Sequence, residues 1–346
     1  MRRLRAGVIG CGPIARRGHL PALTSSSMVE LVAVADLDPK ALEKAAREFR
    51  VPNTFSDYRP MLEEKLDLVD ICVPNHLHAK VAIDAINHGA NVLVEKPLAI
   101  SADEAERVVR TAQAQNVMIC EAKQWRYVPA LRKSHESFTK GKMGKLVSIL
   151  AQWHSEIPLT WSHAQWYYDP AKSGGGIVSD IGIHLVDLLL LYGGPVGRVS
   201  ASGGDYLGTM GFDTSVQALL EFSKGGSGLL DVSWLAPHSK FLQIVGTSGI
   251  AEVDMHYYSR THWNYARSPF SDLKEAIGTI GRTSRRVMNK DFFNPLPRLF
   301  QALINDYAEA IINHLPSPIP GEMSVRALRV KEAIYKSLSE KRTVNL

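Results

Sequence analysis

The sequence predicts an α/β protein that opens with a doubly wound parallel sheet built to hold a nucleotide. Three observations carry this. A glycine-rich turn follows the first apolar run, a carboxylate ends the second, and strands alternate with helices through residues 1–122. At 346 residues the chain is too long for one small core, and we divide it into residues 1–122 and 123–346.

The stretch LRAGVIGCGPIARRGHLPAL reads as strand, turn and helix. Gly10, Gly12 and Ala15 form G-x-G-x-x-A, with Pro13 and Ile14 inside the turn. The first glycine makes the tight turn, and the second lets the backbone approach a pyrophosphate. The small third residue lets the helix pack closely on the strand. The next strand, VELVAVADLDP, ends at Asp36, where a carboxylate binds the adenosine ribose hydroxyls and repels a 2′-phosphate, so NAD is favoured over NADP. Two further strand–helix units run to NVLVEKP, which implies right-handed crossovers and ligands beyond the carboxyl ends of the strands. Pro74, Asn75, Glu95 and Lys96 stand at those ends. His76 and His78 follow at a helix start, where capping and packing compete with a binding role, and no third ligand suggests a metal.

Composition is that of a globular protein, without low complexity or repeats. No apolar run approaches the ~18–20 residues of a membrane span, and the basic start MRRLRAGVIGCG is too short in apolar residues for a signal peptide. With three widely spaced cysteines (Cys11, Cys72, Cys120) and no disulfide or zinc pattern, a cytoplasmic protein is expected. The net charge of +5 is local. Residues 260–298 hold eight basic residues against three acidic ones, which accounts for the whole excess and argues against a general nucleic-acid binder.

These residues resemble the Gfo/Idh/MocA oxidoreductases. The resemblance rests on Gly10-x-Gly12-x-x-Ala15, Pro74-Asn75-x-x-His78, Glu95-Lys96-Pro97, Arg126-Tyr127-x-Pro129 and SGGGIVSDIGIHLVDLLLLYGG, and it covers nearly the whole chain. It implies a Rossmann domain followed by an α/β domain with a large, open, mostly antiparallel sheet. The active site would lie between them, and the outer face of the sheet would pair subunits into a homodimer or homotetramer. It also implies activity on a sugar, cyclitol or nucleotide sugar.

The resemblance makes Lys96, Asp180 and His184 the catalytic set. Asp180 and His184 are four apart on an expected helix and so share a face, although a core histidine satisfied by its neighbour would share that spacing. Histidine suits removal of the hydroxyl proton as hydride leaves. Lys96 would bond the same hydroxyl, with its pKa lowered by desolvation beside an oxidised nicotinamide, and would share the proton relay. Asp180 would orient the substrate or the imidazole, and Glu95 would hold the nicotinamide ribose. Cofactor contacts are expected from Gly10, Gly12, Pro13, Ile14, Ala15, Asp36, Pro74, Asn75, His78, Glu95 and Lys96. Substrate contacts are expected from Lys96, Arg126, Trp153, Trp166, Asp180 and His184, with His154 and Tyr257 as further candidates.

Downstream, strand-like stretches begin at KLVSILAQWHSE, and Lys224-Gly225-Gly226 marks a hairpin. The amphipathic ending SVRALRVKEAIYKSLSEKRTVNL is expected to return to the first domain. Within 272–290, apolar residues face one side and Lys274, Arg282, Arg285 and Arg286 the other. Subunit packing, a nucleotide-sugar diphosphate and an anionic membrane surface all suit such a helix. The functional expectation is an NAD-dependent oxidation of a secondary hydroxyl. Alternatives are an NAD-assisted glycoside hydrolase or lyase that returns the hydride, and a non-catalytic NAD-binding regulator.

Overall fold

The computed structural model describes residues 2–156, 165–255, 260–264 and 296–346, the 260–264 strand by its backbone alone. Strands β1 (Leu4–Ile9), β2 (Val29–Ala35), β3 (Asn53–Phe55), β4 (Leu68–Ile71), β5 (Asn91–Val94) and β6 (Ile119–Glu121) form one parallel sheet. Their order is β3-β2-β1-β4-β5-β6, so the winding reverses between β1 and β4. Val8, Val34, Ile71, Val92, Leu93 and Val94 have no exposed surface, as expected for strands covered by helices on both faces. Asp38 and Ser101 cap the helices Pro39–Phe49 and Ala102–Gln115 by accepting from the Lys40 and Glu104 amides.

The second sheet comprises β7 (Leu146–Glu156), β8 (Val196–Gly204), β9 (Ser215–Phe222), β10 (Ser227–Ser233), β11 (Leu235–Gly246), β12 (Gly249–Asp254), β13 (Arg260–Asn264) and β14 (Val344–Asn345). It runs β13-β12-β11-β7-β10-β9-β8-β14, antiparallel throughout except between β7 and β10. This is the open, mostly antiparallel sheet that the resemblance implied. Gly225 and Gly226 make the expected β9–β10 hairpin with positive φ. Helix Ile183–Gly193 packs on β7 and β10, with Ile183, Leu185, Val186, Leu188 and Leu189 fully buried. By length and composition Pro170–Gly193 would pass for a membrane span, but 72% of its apolar window lies inside the protein as a core helix.

The two C-terminal helices return to the first sheet, and the second of them also reaches the other sheet. Leu296–Asn313 lies against the first, where Phe300 stacks near His19 and the Tyr307 hydroxyl reaches the carbonyls of Met118 (2.7 Å) and Val92 (3.1 Å). Gly321–Glu340 packs on Ala102–Gln115, as expected, but equally on β8 and Ile183–Gly193. The basic stretch 272–290 and Tyr257 lie outside the described residues.

Tyr307 bonds sheet carbonyls from a fully buried position, so its two substitutions should separate in size. Tyr307→Phe removes a hydrogen bond and should cost about 1 kcal/mol, whereas Tyr307→Ala also leaves a cavity and should cost about 3–5 kcal/mol. Denaturant unfolding of both variants checks this order.

Candidate active site

The glycine turn has the form a dinucleotide requires. Gly10 has φ +95°, and a Cβ there would lie 2.5 Å from the Cys72 carbonyl oxygen, so only glycine fits. A Cβ at Gly12 would meet nothing within 4 Å, which leaves the backbone open to a close ligand. Pro13 and Ile14 are half-buried at the head of the helix, and the fully buried Ala15 begins a π-helical turn, Ala15–His19. Asp36 Oδ2 accepts from the Cys11 amide at 2.6 Å, which locks the ribose-type carboxylate beside the turn. These residues fit an NAD-type cofactor.

That π-helical turn delivers a residue that the motif reading passed over. His19 donates from Nδ1 to Asp70 on β4 (2.8 Å) and pairs through Nε2 with Glu95 Oε1 (2.9 Å), all three being buried. Burial pulls the imidazole pKa down, but the Asp70 carboxylate and the neighbouring Cys72 outweigh it, and the net direction is well above the usual value. His19, Asp70 and Cys72 offer donor atoms within 4.8 Å of one another. However, both His19 nitrogens already face carboxylates, and burial, with Asp70, pushes the Cys72 thiol up to about 12. Glu95 is therefore turned inward: its Oε1 meets His19 and its Oε2 accepts from the Lys96 amide at 3.0 Å. The geometry makes Glu95 a positioning group for Lys96 rather than the ribose ligand expected.

His78 is likewise structural. Its ring nitrogens lie 2.6 Å from the Pro97 carbonyl oxygen and 2.7 Å from that of Val73, so it fastens the strand end next to the Lys96–Pro97 bond, which is cis. The expected cofactor contact from His78 gives way to this buried role. Asn75, beside the half-buried Pro74, donates to the Ser173 carbonyl at 2.9 Å and so links the first sheet to the Gly174–Gly176 loop.

Lys96 crosses to the second half. Its Nζ donates to Asp180 Oδ1 (2.7 Å) and to the Asp180 carbonyl (3.0 Å). Burial lowers its pKa, but the charges of Asp180 and Glu95 outweigh it and the net direction is up, the reverse of the lowered value expected. Asp180 holds Lys96 rather than the imidazole. It sits in a second π-helical turn, Val178–Gly182, ahead of the α-helix carrying His184, so the single-helix spacing expected is interrupted. Desolvation, then the charges of Lys96, Lys123 and Lys240, hold the buried His184 well below its usual value, so the imidazole is neutral. Its Nδ1 is buried without a partner among the described residues.

Trp153 stacks on His184 (6.1 Å, 17°), and Trp125 meets it edge-on (6.3 Å, 79°). Trp153 thus lies beside His184. Trp125, Tyr167, Lys123 and Lys240 were not foreseen. Burial and the Asp180 carboxylate, which bonds its phenol, raise Tyr167 well above its usual value. The expected Trp166 is half-buried with its ring against Tyr167. Lys123 is buried and paired with Glu121 at 3.0 Å.

Two expected substrate residues are elsewhere. Arg126 makes a bidentate pair with Asp187 (2.6 and 2.7 Å), which fastens the Gln124–Tyr127 turn to the Ile183–Gly193 helix. With Nη1 on the Met323 sulfur as well, the guanidinium is held by internal partners, which gives Arg126 a structural role in place of the substrate contact expected. His154 is one residue beyond Trp153 on β7, so it faces the opposite side of the sheet, where it bonds Asp231 at 3.0 Å. The glycine loop has a partner that no motif announced. Asp213 accepts from the Gly176 and Val178 amides (2.8 Å each), and a Cβ on Gly176 would lie 2.2 Å from the Asp213 carbonyl oxygen.

Comparison with known proteins agrees with this geometry. Residues 4–122 match the family model for the oxidoreductase family, NAD-binding Rossmann fold, and residues 131–252 match that for the GFO/IDH/MocA C-terminal domain. D-xylose 1-dehydrogenase (NADP(+)) 2 of Haloferax volcanii is 27% identical over 98% of this chain and 99% of its own. The WlbA dehydrogenase of Bordetella pertussis, solved with NADH and UDP-GlcNAcA, superposes with TM-score 0.87 at 23% identity over 100% of this chain and 98% of its own. The myo-inositol 2-dehydrogenase of Lactobacillus plantarum does so with TM-score 0.82 at 22% identity, over the whole of both chains.

The His19 cluster should appear in the pH dependence of stability. A pKa raised by folding contributes stability that is complete below about pH 6.5 and lost as pH rises through the folded value. Replacing His19 by Gln leaves two buried carboxylates without their cation and should cost about 3–5 kcal/mol near neutrality. The deficit should shrink as the pH rises into the alkaline range. Unfolding curves at a series of pH values test this; a deficit independent of pH would show that His19 is not charged in the fold.

Proposed function

The chain belongs to the Gfo/Idh/MocA oxidoreductase family, and from that premise we propose that it is an NAD-dependent dehydrogenase acting on a secondary hydroxyl of a sugar, cyclitol or nucleotide sugar. The observation that carries this reading is the 2.7 Å contact between Lys96, at the end of β5, and Asp180, in the second half, beside a neutral buried His184. A binding module has no need of that arrangement.

Gly10, Gly12, Ala15 and Asp36 would hold the dinucleotide, whose nicotinamide supplies the hydride acceptor when bound. His184 takes the hydroxyl proton. Its depressed pKa keeps it unprotonated at working pH and ready to pass the proton on. Lys96, kept cationic by Asp180, donates to the same oxygen and stabilises the developing alkoxide. Trp153 and Trp125 give the imidazole a fixed, apolar surround that limits water. Relatives named for D-xylose and for myo-inositol, and a structural neighbour holding UDP-GlcNAcA, support the polyol class.

We favour NAD over NADP because the Asp36 carboxylate is fastened at the ribose position, although one relative is named for NADP(+). We also assign the outer face of the second sheet, where Leu219 and Leu229 are exposed, to contact between copies of the chain in a homodimer or homotetramer.

Two substitutions separate chemistry from binding. Lys96→Met should reduce kcat by about a hundred- to ten-thousandfold while NADH affinity, read by fluorescence titration, holds. Asp36→Ser should move the ratio of kcat/KM for NAD over NADP toward NADP. Turnover of polyols and nucleotide sugars, followed by NADH formation, tests the whole reading. NADH binding with no oxidation of any of these substrates would sink it.

A further inference from the structure

Three cations act on His184, and two of them are compensated. Lys96 pairs with Asp180 and Lys123 with Glu121. Lys240 is different. It stands on β11 directly across from Trp153, on the face of the second sheet that carries His184's surround. Its Nζ lies 3.4 Å from the centroid of the Trp153 ring and 4.0 Å from that of Trp125. Those two rings meet edge to face at 5.0 Å and both contact His184. Among the described residues, no carboxylate or carbonyl group pairs with this ammonium.

Two aromatic faces attract a desolvated ammonium through their ring quadrupoles but bring no counter-charge and accept no strong hydrogen bond. Burial alone accordingly pulls the Lys240 pKa down to about 7. Lys240 as a residue is half-buried rather than sealed. An amine that gives up its proton near neutrality for want of an anion, next to the imidazole, is matched by a ligand that brings the anion and keeps the ammonium charged.

We propose that Lys240, seated on Trp125 and Trp153, is the specificity residue for an oxyanion carried by the substrate, so that the preferred substrate is an acidic polyol bearing a carboxylate or phosphate near the oxidised carbon. The proposal rests on the dehydrogenase reading of the cleft and narrows its substrate class. The rings fix the ammonium so that little freedom is lost on pairing, and the hydroxyl to be oxidised is placed against His184 and Lys96. An oxyanion accepting from Lys240 also offsets a charge that depresses His184, which favours proton uptake by the imidazole.

The test titrates the NADH-saturated protein with D-glucose, D-glucuronate and D-glucose 6-phosphate, reading heat and tryptophan fluorescence. A hydrogen bond to a charged group predicts that at least one acidic probe binds about ten- to a hundredfold more tightly than glucose. Lys240→Met, which keeps the side-chain length, should erase that preference, and Lys240→Arg should keep part of it. Whether glucuronate or the 6-phosphate shows the effect identifies the oxyanion. Equal binding of the three probes, no binding of any, or an acid preference that survives Lys240→Met overturns the proposal. Turnover of a neutral polyol by the wild-type protein with no preference for either acidic probe would leave the dehydrogenase reading standing without the proposal. A failure of that reading appears separately, as NADH binding without turnover of any polyol.

Discussion

The ion pair between Lys96 and Asp180 is the constraint around which the site is arranged, because it joins the end of a strand of the first sheet to the helical turn that precedes His184. A 2.7 Å contact between segments 84 residues apart in sequence needs each end to be held in place by its own neighbours. On the Lys96 side, Glu95 bonds the Lys96 amide, His19 holds Glu95 and Asp70 holds His19, while His78 fastens the carbonyls of Val73 and Pro97. On the Asp180 side, Asp213 bonds two amides of the glycine loop and Tyr167 bears on the carboxylate. Asn75 then bonds the Ser173 carbonyl and ties the supports to each other.

The same pair settles the protonation states of the site. With Asp180 and Glu95 beside it, Lys96 is a permanent donor and not a proton carrier. Its charge, added to burial, holds the His184 pKa well below its usual value, which suits the acceptor role proposed for it. One carboxylate thus separates the roles of two bases that would otherwise compete for one proton. The charges around the imidazole are also unequal in a way that matters. Lys96 and Lys123 have carboxylate partners, so their fields are damped, whereas the Lys240 charge is damped only by aromatic faces. Lys240 is thus the cation near His184 with no carboxylate partner among the described residues.

Much of the architecture was legible along the chain. The parallel first sheet follows from apolar runs separated by helices and from a glycine turn whose first residue has no room for a Cβ. Lys96, Asp180, His184 and Asp36 were singled out because motifs keep chemistry at fixed short spacings, whereas Trp153 was singled out by residue type alone. The open second sheet rested on resemblance, since alternating strands do not by themselves state their partners. Arg126 and His154 misled for a common reason: residue type suits a polar ligand and a buried internal partner equally well. Only the fold shows that Asp187 and Asp231 take them.

By itself, then, the sequence determined which segments are strands, where the nucleotide turn lies and which side chains could exchange a proton, because these depend on local sterics, periodicity and intrinsic chemistry. Tertiary structure alone decided which of those groups carry charge. His19 is 51 residues from Asp70 and 76 from Glu95, Lys96 is 84 from Asp180, and Lys240 meets Trp153 only through strand pairing. A pKa is set by burial and by charges a few ångströms away. Neither quantity exists until the chain has folded.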